Sequence, residues 1–493
     1  MILLALLATS LVPGIAIFFV PEERHRLRTV LNMAGAVAKV ALVAVLLWRY
    51  LEGDRPEIVV AFLPDLPFVL RVDALALLFI TLSALLWLLT TIYAIGYLEN
   101  SPHRSRFFGF FSLCVTATVG IALSGNLLTF FIFYEALTIT TYPLVVHRGT
   151  EASLAAGRVY LMYTLGGGTA LLAGIVWLEN LGVGPAEFVR GGGIVLEPGT
   201  GRAQLAGAFV LIVAGLAVKA AIVPLHGWLP RAMVAPAPVS ALLHAVAVVK
   251  AGAFGIIRVV DDVYGRELVA DLGLLTPLAV AAGFTIIYGS LRAMMQDDLK
   301  RRLAFSTVSQ VSYIVLGVAL LSPISAIGAL VHLVHQGVMK ITLFFAAGVL
   351  AEELGVHRVR DMAGVGRRAP LTMTAFTVAA LGMIGVPPTA GFISKWYLGL
   401  GATSAGADWA LAVLAMSGVL NAIYFLPLIY AAWFREPEGS WPIDRRRGRL
   451  EAIPALLVPT LITGLVTLAA GLLAGVELSP LSLAQDVEGD AGP

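Results

Sequence analysis

Residues Gly215–Pro230, GLAVKAAIVPLHGWLP, set Lys219 in the middle of an apolar run, five residues ahead of Pro224 and seven ahead of His226. A proline inside a helix removes a backbone donor and opens the hydrogen-bond ladder a turn earlier, which here is at the lysine. The composition decides what solvent this break must tolerate. With 59% hydrophobic residues, 13% charged and a mean hydropathy of +0.89, the chain is too apolar for a soluble domain and reads as a membrane protein. Irregular backbone is tolerated at membrane depth only where it is buried in protein or lines a cavity. The carbonyls freed near Lys219 are therefore expected to line a cavity or hold water.

Working outward, apolar runs of spanning length begin near Ile2, Thr29, Val72, Phe107, Leu127, Val159, Gln204, Pro238, Leu272, Arg302, Ile324, Leu371, Trp409 and Ile453. The fold class is thus an all-α polytopic bundle of about fourteen spans, and the 50 glycines suit close helix packing. The first run, MILLALLATSLVPGIAIFFV, lacks a basic n-region and reads as a span rather than a cleaved signal. Arginine is concentrated in alternate loops: Arg24, Arg26 and Arg28; Arg104 and Arg106; Arg148; the Lys300–Arg302 group; Arg358–Arg368; and Arg435 with RRRGR (445–449). Placing these loops in the cytoplasm puts both termini outside a cell inner (plasma) membrane.

The lysines follow a different rule. Five of the six, Lys39, Lys219, Lys250, Lys340 and Lys395, fall inside spans, where the sequence places no arginine. An intramembrane lysine costs about 2.5–3.5 kcal/mol on insertion scales. Arginine cannot release its proton, whereas a desolvated lysine can, so proton handling explains the choice. Lys39, nine residues ahead of Trp48, is read as a snorkelling, lipid-facing or subunit-facing oddity with a structural role.

Glu135, in NLLTFFIFYEALTITTYPLVV, is the only acidic residue that the sequence puts well inside a span, and Lys219 is its obvious partner. Span twelve, LGMIGVPPTAGFISKWYLG, repeats the broken design with Gly385, Pro387, Pro388 and Gly391, followed by Lys395. Two interrupted spans five apart mark an inverted repeat with ion sites at its interface. The expected organisation is a three-helix segment (1–100), two five-helix repeats (106–260 and 272–435, spans 4–8 and 9–13), a C-terminal helix (450–475) and an acidic tail (476–493).

Between the breaks, span eight carries His244 and Lys250, about 240 degrees apart on an unbroken helix. Span eleven carries His332, His335, Gln336 and Lys340 within about 140 degrees, a polar stripe suited to a wetted relay. Ser306, Ser309, Ser312 and Tyr313 are placed to order that water or to hydrogen-bond between helices. His226 reads as an entrance or packing residue. Gly166–Gly168 and Gly191–Gly193 follow no strand and imply no phosphate loop. Asp297 and Asp298 read as a solvated, helix-capping loop. The lone Cys114 forms no thiolate cluster, so no cofactor or metal is expected, and no nucleophile–base pair suggests an enzyme. The net charge of +2 gives no sign of a nucleic-acid partner.

FIFYEALTITTYPLV, VKAAIVPLHGWLPRAMVAPAPVSALLHAVAVVKAG, DDLKRRLAFSTVSQVSYIVLG, HLVHQGVMKITLFFAAG and MIGVPPTAGFISKW together resemble the antiporter-like proton-translocating subunits shared by Mrp-type sodium/proton antiporters and respiratory complex I. The length and the lysine at 395 look most like the D-type subunit of the Mrp antiporter. The resemblance implies a Glu135–Lys219 charge pair whose opening and closing tunes the lysine, a transfer lysine at Lys250 with His244 nearby, a span-eleven region at His332, His335 and Lys340, and a terminal lysine at Lys395. It assigns nothing to Lys39. It implies partner subunits, with the proton gradient driving sodium export. The same path driven by a redox arm, as in a complex I-like or membrane-bound hydrogenase assembly, is the alternative. A self-sufficient small-solute transporter would instead place a substrate pocket at the two breaks.

Overall fold

A computed structural model of the chain describes residues 1–63, 66–99, 101–183, 186–194, 201–437, 439–445 and 450–489. The chain opens with helices α1 (Ile2–Phe18) and α2 (His25–Leu51), an antiparallel hairpin of β1 (Glu57–Leu63) and β2 (Leu66–Arg71), and α3 (Ala74–Tyr97). Then come α4 (Arg104–Leu123), α5 (Leu127–Val145), α6 (Glu151–Asn180), α7 (Arg202–Ala220), the short α8 (Trp228–Arg231), α9 (Ala237–Ala245), α10 (Val248–Ile257) and the short α11 (Arg266–Asp271). The second half holds α12 (Leu275–Met294), α13 (Leu299–Ala319), α14 (Pro323–Leu354), the short α15 (Val365–Arg368), α16 (Pro370–Ile384), α17 (Ala390–Ser404) and α18 (Asp408–Phe434). It ends with α19 (Pro454–Leu472) and α20 (Pro480–Gly489).

Among the described residues twelve helical segments are long and apolar enough to cross a bilayer, with Ala237–Tyr264 counted as one. The shorter α1 and the broken pair α16/α17 supply the other two of the fourteen expected spans. The polytopic all-α fold therefore stands. Loop contacts agree with the expected alternation. On one face Glu22 accepts the backbone N–H groups of Arg104 and Ser105 at 3.0 and 2.9 Å, and Val359 N–H donates to the Asp297 carbonyl at 2.7 Å. On the other face Arg258 pairs with Asp73 at 2.6 Å, and Arg266 with Glu488 at 2.8 Å. Arg446–Arg449 of the basic run lie outside the described residues.

Several expectations need correction. The hairpin of β1 and β2 is not announced by its sequence: EIVVAFL and LPFVLR lack the strict alternation that marks a half-buried strand. The acidic tail contains a docked helix, α20, with Leu481, Leu483, Ala484 and Val487 buried; residues 490–493 lie outside the described part. Lys39 is not lipid-facing. It is fully buried, donates to Ser10 Oγ at 2.7 Å and lies 5.0 Å from the centroid of the Trp87 ring. Glu135 is not the only acid within a span, because Asp262 is 1% exposed in the last turns of span eight, paired with the buried Arg258 at 2.7 Å. Arg258 is thus a span residue and not a loop one, an exception to the rule that the spans hold lysine alone.

Span eight is itself broken, which the sequence does not announce. The chain turns at Val246–Ala247 between α9 and α10 and finishes as a π-helix over Arg258–Tyr264. Neither proline nor glycine stands at this break. The neighbour supplies the room: a Cβ at Gly337 of α14 would come 2.8 Å from the Ala245 carbonyl oxygen.

Candidate functional site

Helix α7 stops one residue after Lys219, and Ala221 turns the chain in the left-handed region at φ 57°. The lysine is fully buried. Its Nζ donates to the Tyr134 carbonyl of α5 and lies 3.3 Å from the centroid of the Tyr134 ring. In the break that follows, Trp228 Nε1 donates to the Val218 carbonyl at 2.7 Å, and Val223 N–H donates to Thr285 Oγ1 at 3.1 Å. Of the carbonyls near the break, that of Val218 is thus taken up by a side chain of the break itself.

Glu135, the residue after Tyr134, is half-buried against α6. A Cβ at Gly168 would come 2.4 Å from Glu135 Oε1, so the glycine is the seat of the carboxylate. Oε1 has no hydrogen-bond partner. Glu135 and Lys219 border the same turn of α5, close enough for their charges to act on one another, yet among the described residues they do not form an ion pair within 4.0 Å. The lysine is held by a carbonyl and a ring in the conformation described.

The adjoining helix carries the next cation. A Cβ at Gly252 would come 2.2 Å from Ala220 N, so α10 lies directly against the end of α7. Lys250, two residues earlier, is fully buried with no partner for Nζ. Both ring nitrogens of His244, at the end of α9, are also unpartnered, and its ring stacks on Phe344 of α14 at 4.6 Å. The break between α9 and α10 supersedes the 240-degree separation expected for one straight helix. Lys250 lies within electrostatic reach of both His332 and Lys340, and Lys340 within reach of His244.

Helix α14 supplies the centre of the row. His332 Nδ1 shares a hydrogen bond with Ser394 Oγ at 2.8 Å, and its ring stacks on Tyr313 at 5.1 Å. His335 Nδ1 donates to the Ala390 carbonyl at 2.7 Å, which leaves Nε2 unpartnered. Both amide atoms of the fully buried Gln336 are unpartnered as well. Lys340 donates to Ser306 Oγ and to the Leu303 carbonyl. Of the expected serine cluster, Ser309 meets Ser290 at 2.9 Å, whereas Ser312 bonds back to its own helix.

At the far end Lys395 of α17 reaches back across the second break to donate to the carbonyls of Met383 and Ile384 at 2.6 and 3.0 Å. It thereby caps the C-terminus of α16, where a cation is favoured. Gly385, at φ 101°, makes room, since a Cβ there would come 2.9 Å from Lys395 Cδ. Asn421 of α18 donates to the same Met383 carbonyl. Pro224 and Pro387–Pro388 lie in the two breaks as expected. His226 sits edge-on to Tyr288 at 5.1 Å in the first break, a packing position.

Sequence reasoning missed Gly168 and Asn421, whose contacts are purely tertiary, and misplaced Lys300. Lys300 is not a free loop residue: its Nζ donates to the Ala235 carbonyl at 2.6 Å. Asp298 does cap α13, accepting from Arg301 N–H at 2.8 Å. Among the described residues no three His, Cys, Asp or Glu side chains are grouped to hold a metal. The arrangement is a row of buried bases, several with a nitrogen free to take or give a proton through water.

Residues 124–421 match the family described as NADH:quinone oxidoreductase/Mrp antiporter, TM, and residues 63–108 match NADH-Ubiquinone oxidoreductase (complex I), chain 5 N-terminus. The chain is 36% identical to NADH-quinone oxidoreductase subunit N of Desulforudis audaxviator, over 86% of its own length and 84% of that protein. It is 32% identical to a probable K(+)/H(+) antiporter subunit of Rhizobium meliloti, over 87% of its length but 43% of that protein. A chain in the structure of the Mrp complex from Dietzia sp. DQ12-45-1b superposes with a TM-score of 0.84 at 25% identity, covering 99% of this chain and 98% of that one.

Proposed function

The chain belongs to the NADH:quinone oxidoreductase/Mrp antiporter transmembrane family, and on that footing we propose that it is the proton-conducting subunit of a multisubunit Na+(cation)/H+ antiporter. The observation that carries this reading is the row from Glu135 and Lys219 through Lys250 and α14 to Lys395, half-buried at its two ends and fully buried between, with unpartnered nitrogens on Lys250, His244 and His335. A static set of ion pairs would leave none. Static pairing would also favour arginine, which cannot release its proton.

Approach of Glu135 keeps Lys219 charged, and its withdrawal frees the lysine to pass a proton toward Lys250. A pair at 4 Å with an effective dielectric of about 20 is worth on the order of 4 kcal/mol, enough to switch the lysine. The described conformation, with Lys219 on Tyr134 and Glu135 against Gly168, corresponds to the open pair. From Lys250 the relay runs by His332, His335 and Lys340 to Lys395, with water bridging the wider gaps. The two five-helix units, 106–260 and 272–435, are read as inverted repeats that place Lys219 and Lys395 at corresponding breaks. The basic loops face the cytoplasm and both termini the outside of the plasma membrane. Sodium crosses elsewhere in the assembly, in partner subunits.

A second reading has its own support. The 36% identity to a quinone oxidoreductase subunit extends over most of both chains and favours the same relay driven by a redox arm. The subunit list of the purified complex separates the two: small cation-antiporter subunits for the first, quinone-reductase or hydrogenase subunits for the second. The relay is tested with Glu135→Ala and Lys219→Ala in the assembled complex, measuring proton-coupled sodium transport in everted vesicles. Both variants are expected to lose transport, and wild-type rates in both would sink the charge-pair mechanism. Lys219→Arg is expected to fail as well, because it keeps the charge without the exchangeable proton.

A further inference from the structure

Two adjoining cavities open beside the loops of the basic face. The larger, about 520 Å³, is lined by Glu352, Glu353, His103, His147 and Arg445 among others. The smaller, about 240 Å³, is lined by Val234, Ala237, Lys300, Ala347, Gly348 and Ala351. Tyr97 and Arg148 line both. Either has room for several waters, and titratable groups line the walls. The smaller one lies over the start of α9 and the last turns of α14, the two helices whose next buried groups are His244 and Lys340.

Its floor is narrow. A Cβ at Gly348 would come 2.2 Å from Tyr93 Oη and 2.7 Å from Ala237 Cβ, so α3, α9 and α14 meet there around a bare hydrogen. One turn further along α14 is Phe344, the ring on which His244 stacks. Along α9, Ala237, Ser240, Ala241 and His244 share one face at helical spacing. Lys300 stands in the cavity wall, its ammonium held by the Ala235 carbonyl just ahead of α9, and within electrostatic reach of His244. No group of the relay proposed above explains this sixth lysine, which stands in the first turn of α13 and lines the cavity.

We infer that the paired cavities are the aqueous mouth through which protons reach the buried row, and that Lys300 is the group that hands them to His244. A hydrated proton in the cavity protonates the Lys300 amine. The resulting ammonium, held by the Ala235 carbonyl, passes its proton along ordered water to a free ring nitrogen of His244; the lysine returns to the neutral amine and the histidine becomes imidazolium. His244 then discharges toward Lys340 or Lys250.

The inference rests on the proton-conducting reading, and its test separates the two. In the full complex with Cys114→Ser, Val234→Cys and Ala351→Cys are treated in everted vesicles with a membrane-impermeant cationic methanethiosulfonate. Both thiols are expected to react from the basic-loop face, with proton transport falling as the mouth fills. No reaction at either position overturns the mouth, whatever the chain carries; wild-type transport in Glu135→Ala and Lys219→Ala refutes the proton reading without touching the labelling result. For the lysine, Lys300→Arg is expected to lose at least about tenfold in rate, while Lys300→His, which can release a proton, keeps substantially more. Wild-type rates in Lys300→Arg, or equal losses in both variants, overturn the role assigned to Lys300.

Discussion

The two lysines at the two breaks, Lys219 buried and Lys395 half-buried, are held by different partners. Lys219 rests on a backbone carbonyl and an aromatic face, Lys395 on the paired carbonyls that end α16. These partners are polar but uncharged, which leaves each lysine sensitive to a mobile acid. Around the first break the glycine opposite the acid is the sensitive point. Gly168→Ala would put a methyl group 2.4 Å from Glu135 Oε1 and displace the carboxylate. We expect a cost of roughly 1–3 kcal/mol by overpacking together with a several-fold fall in transport. Gly166→Ala, with nothing within 4 Å of its added Cβ, is the control and should be neutral in both measurements. Equal behaviour of the two variants would refute the seat. The charged members of this site were legible in the sequence because a lysine or glutamate in an apolar run stands out. The glycine was not, since three consecutive glycines in a helix look alike until the helix opposite is known, and only Gly168 meets the carboxylate.

Proline and glycine marked the breaks at Pro224 and at Gly385–Pro388, because both residues act on local backbone. The break at Val246–Ala247 was invisible, for neither proline nor glycine stands there and the room for the Ala245 carbonyl is supplied by Gly337 of α14, a purely tertiary contact. The hairpin of β1 and β2 escaped for a related reason: the neighbours Val69 and Leu70 are both buried, so β2 lacks the alternation that marks a half-buried strand. Element packing thus decides where the buried bases stand. Gly252 fixes α10 against α7 at Lys219, and the atoms it meets, Ala220 N at 2.2 Å and Leu216 O at 2.7 Å, are backbone that cannot rotate away. Gly252→Ala should therefore push α10 outward, cost roughly 1–3 kcal/mol in a detergent melt and slow transport by moving Lys250 away from the end of α7. A variant that melts with wild-type protein would show that the helices have slack at this contact.

Across the whole molecule the two faces are built differently. The basic-loop face carries the paired cavities, while the other face, which has a cavity of its own of about 350 Å³, is crossed by a largely buried ion-pair chain that the sequence did not reveal because its members come from four distant segments. Arg258 grips Asp73 ahead of α3 at 2.6 and 2.8 Å and Asp262 at 2.7 Å. Arg190 continues from Asp262 at 3.9 Å to Glu488 of α20 at 3.3 Å, and Arg266 joins Glu488 to Asp261. The N-terminal segment, span eight and the C-terminal helix are thus fastened at one end of the bundle. The centre of this chain, not its end, should carry the stability. Arg258→Met leaves Asp262 buried without its main partner, a change that costs about 3–5 kcal/mol when one member of a buried pair is removed. Glu488→Gln leaves Arg266 on Asp261, Arg258 on both its carboxylates and the apolar face of α20 docked, and should cost clearly less. Thermal melts of the detergent-purified complex compare the two variants directly. A loss in Glu488→Gln as large as in Arg258→Met would mean that the carboxylate at the end of this chain, rather than the arginine at its centre, holds this face together.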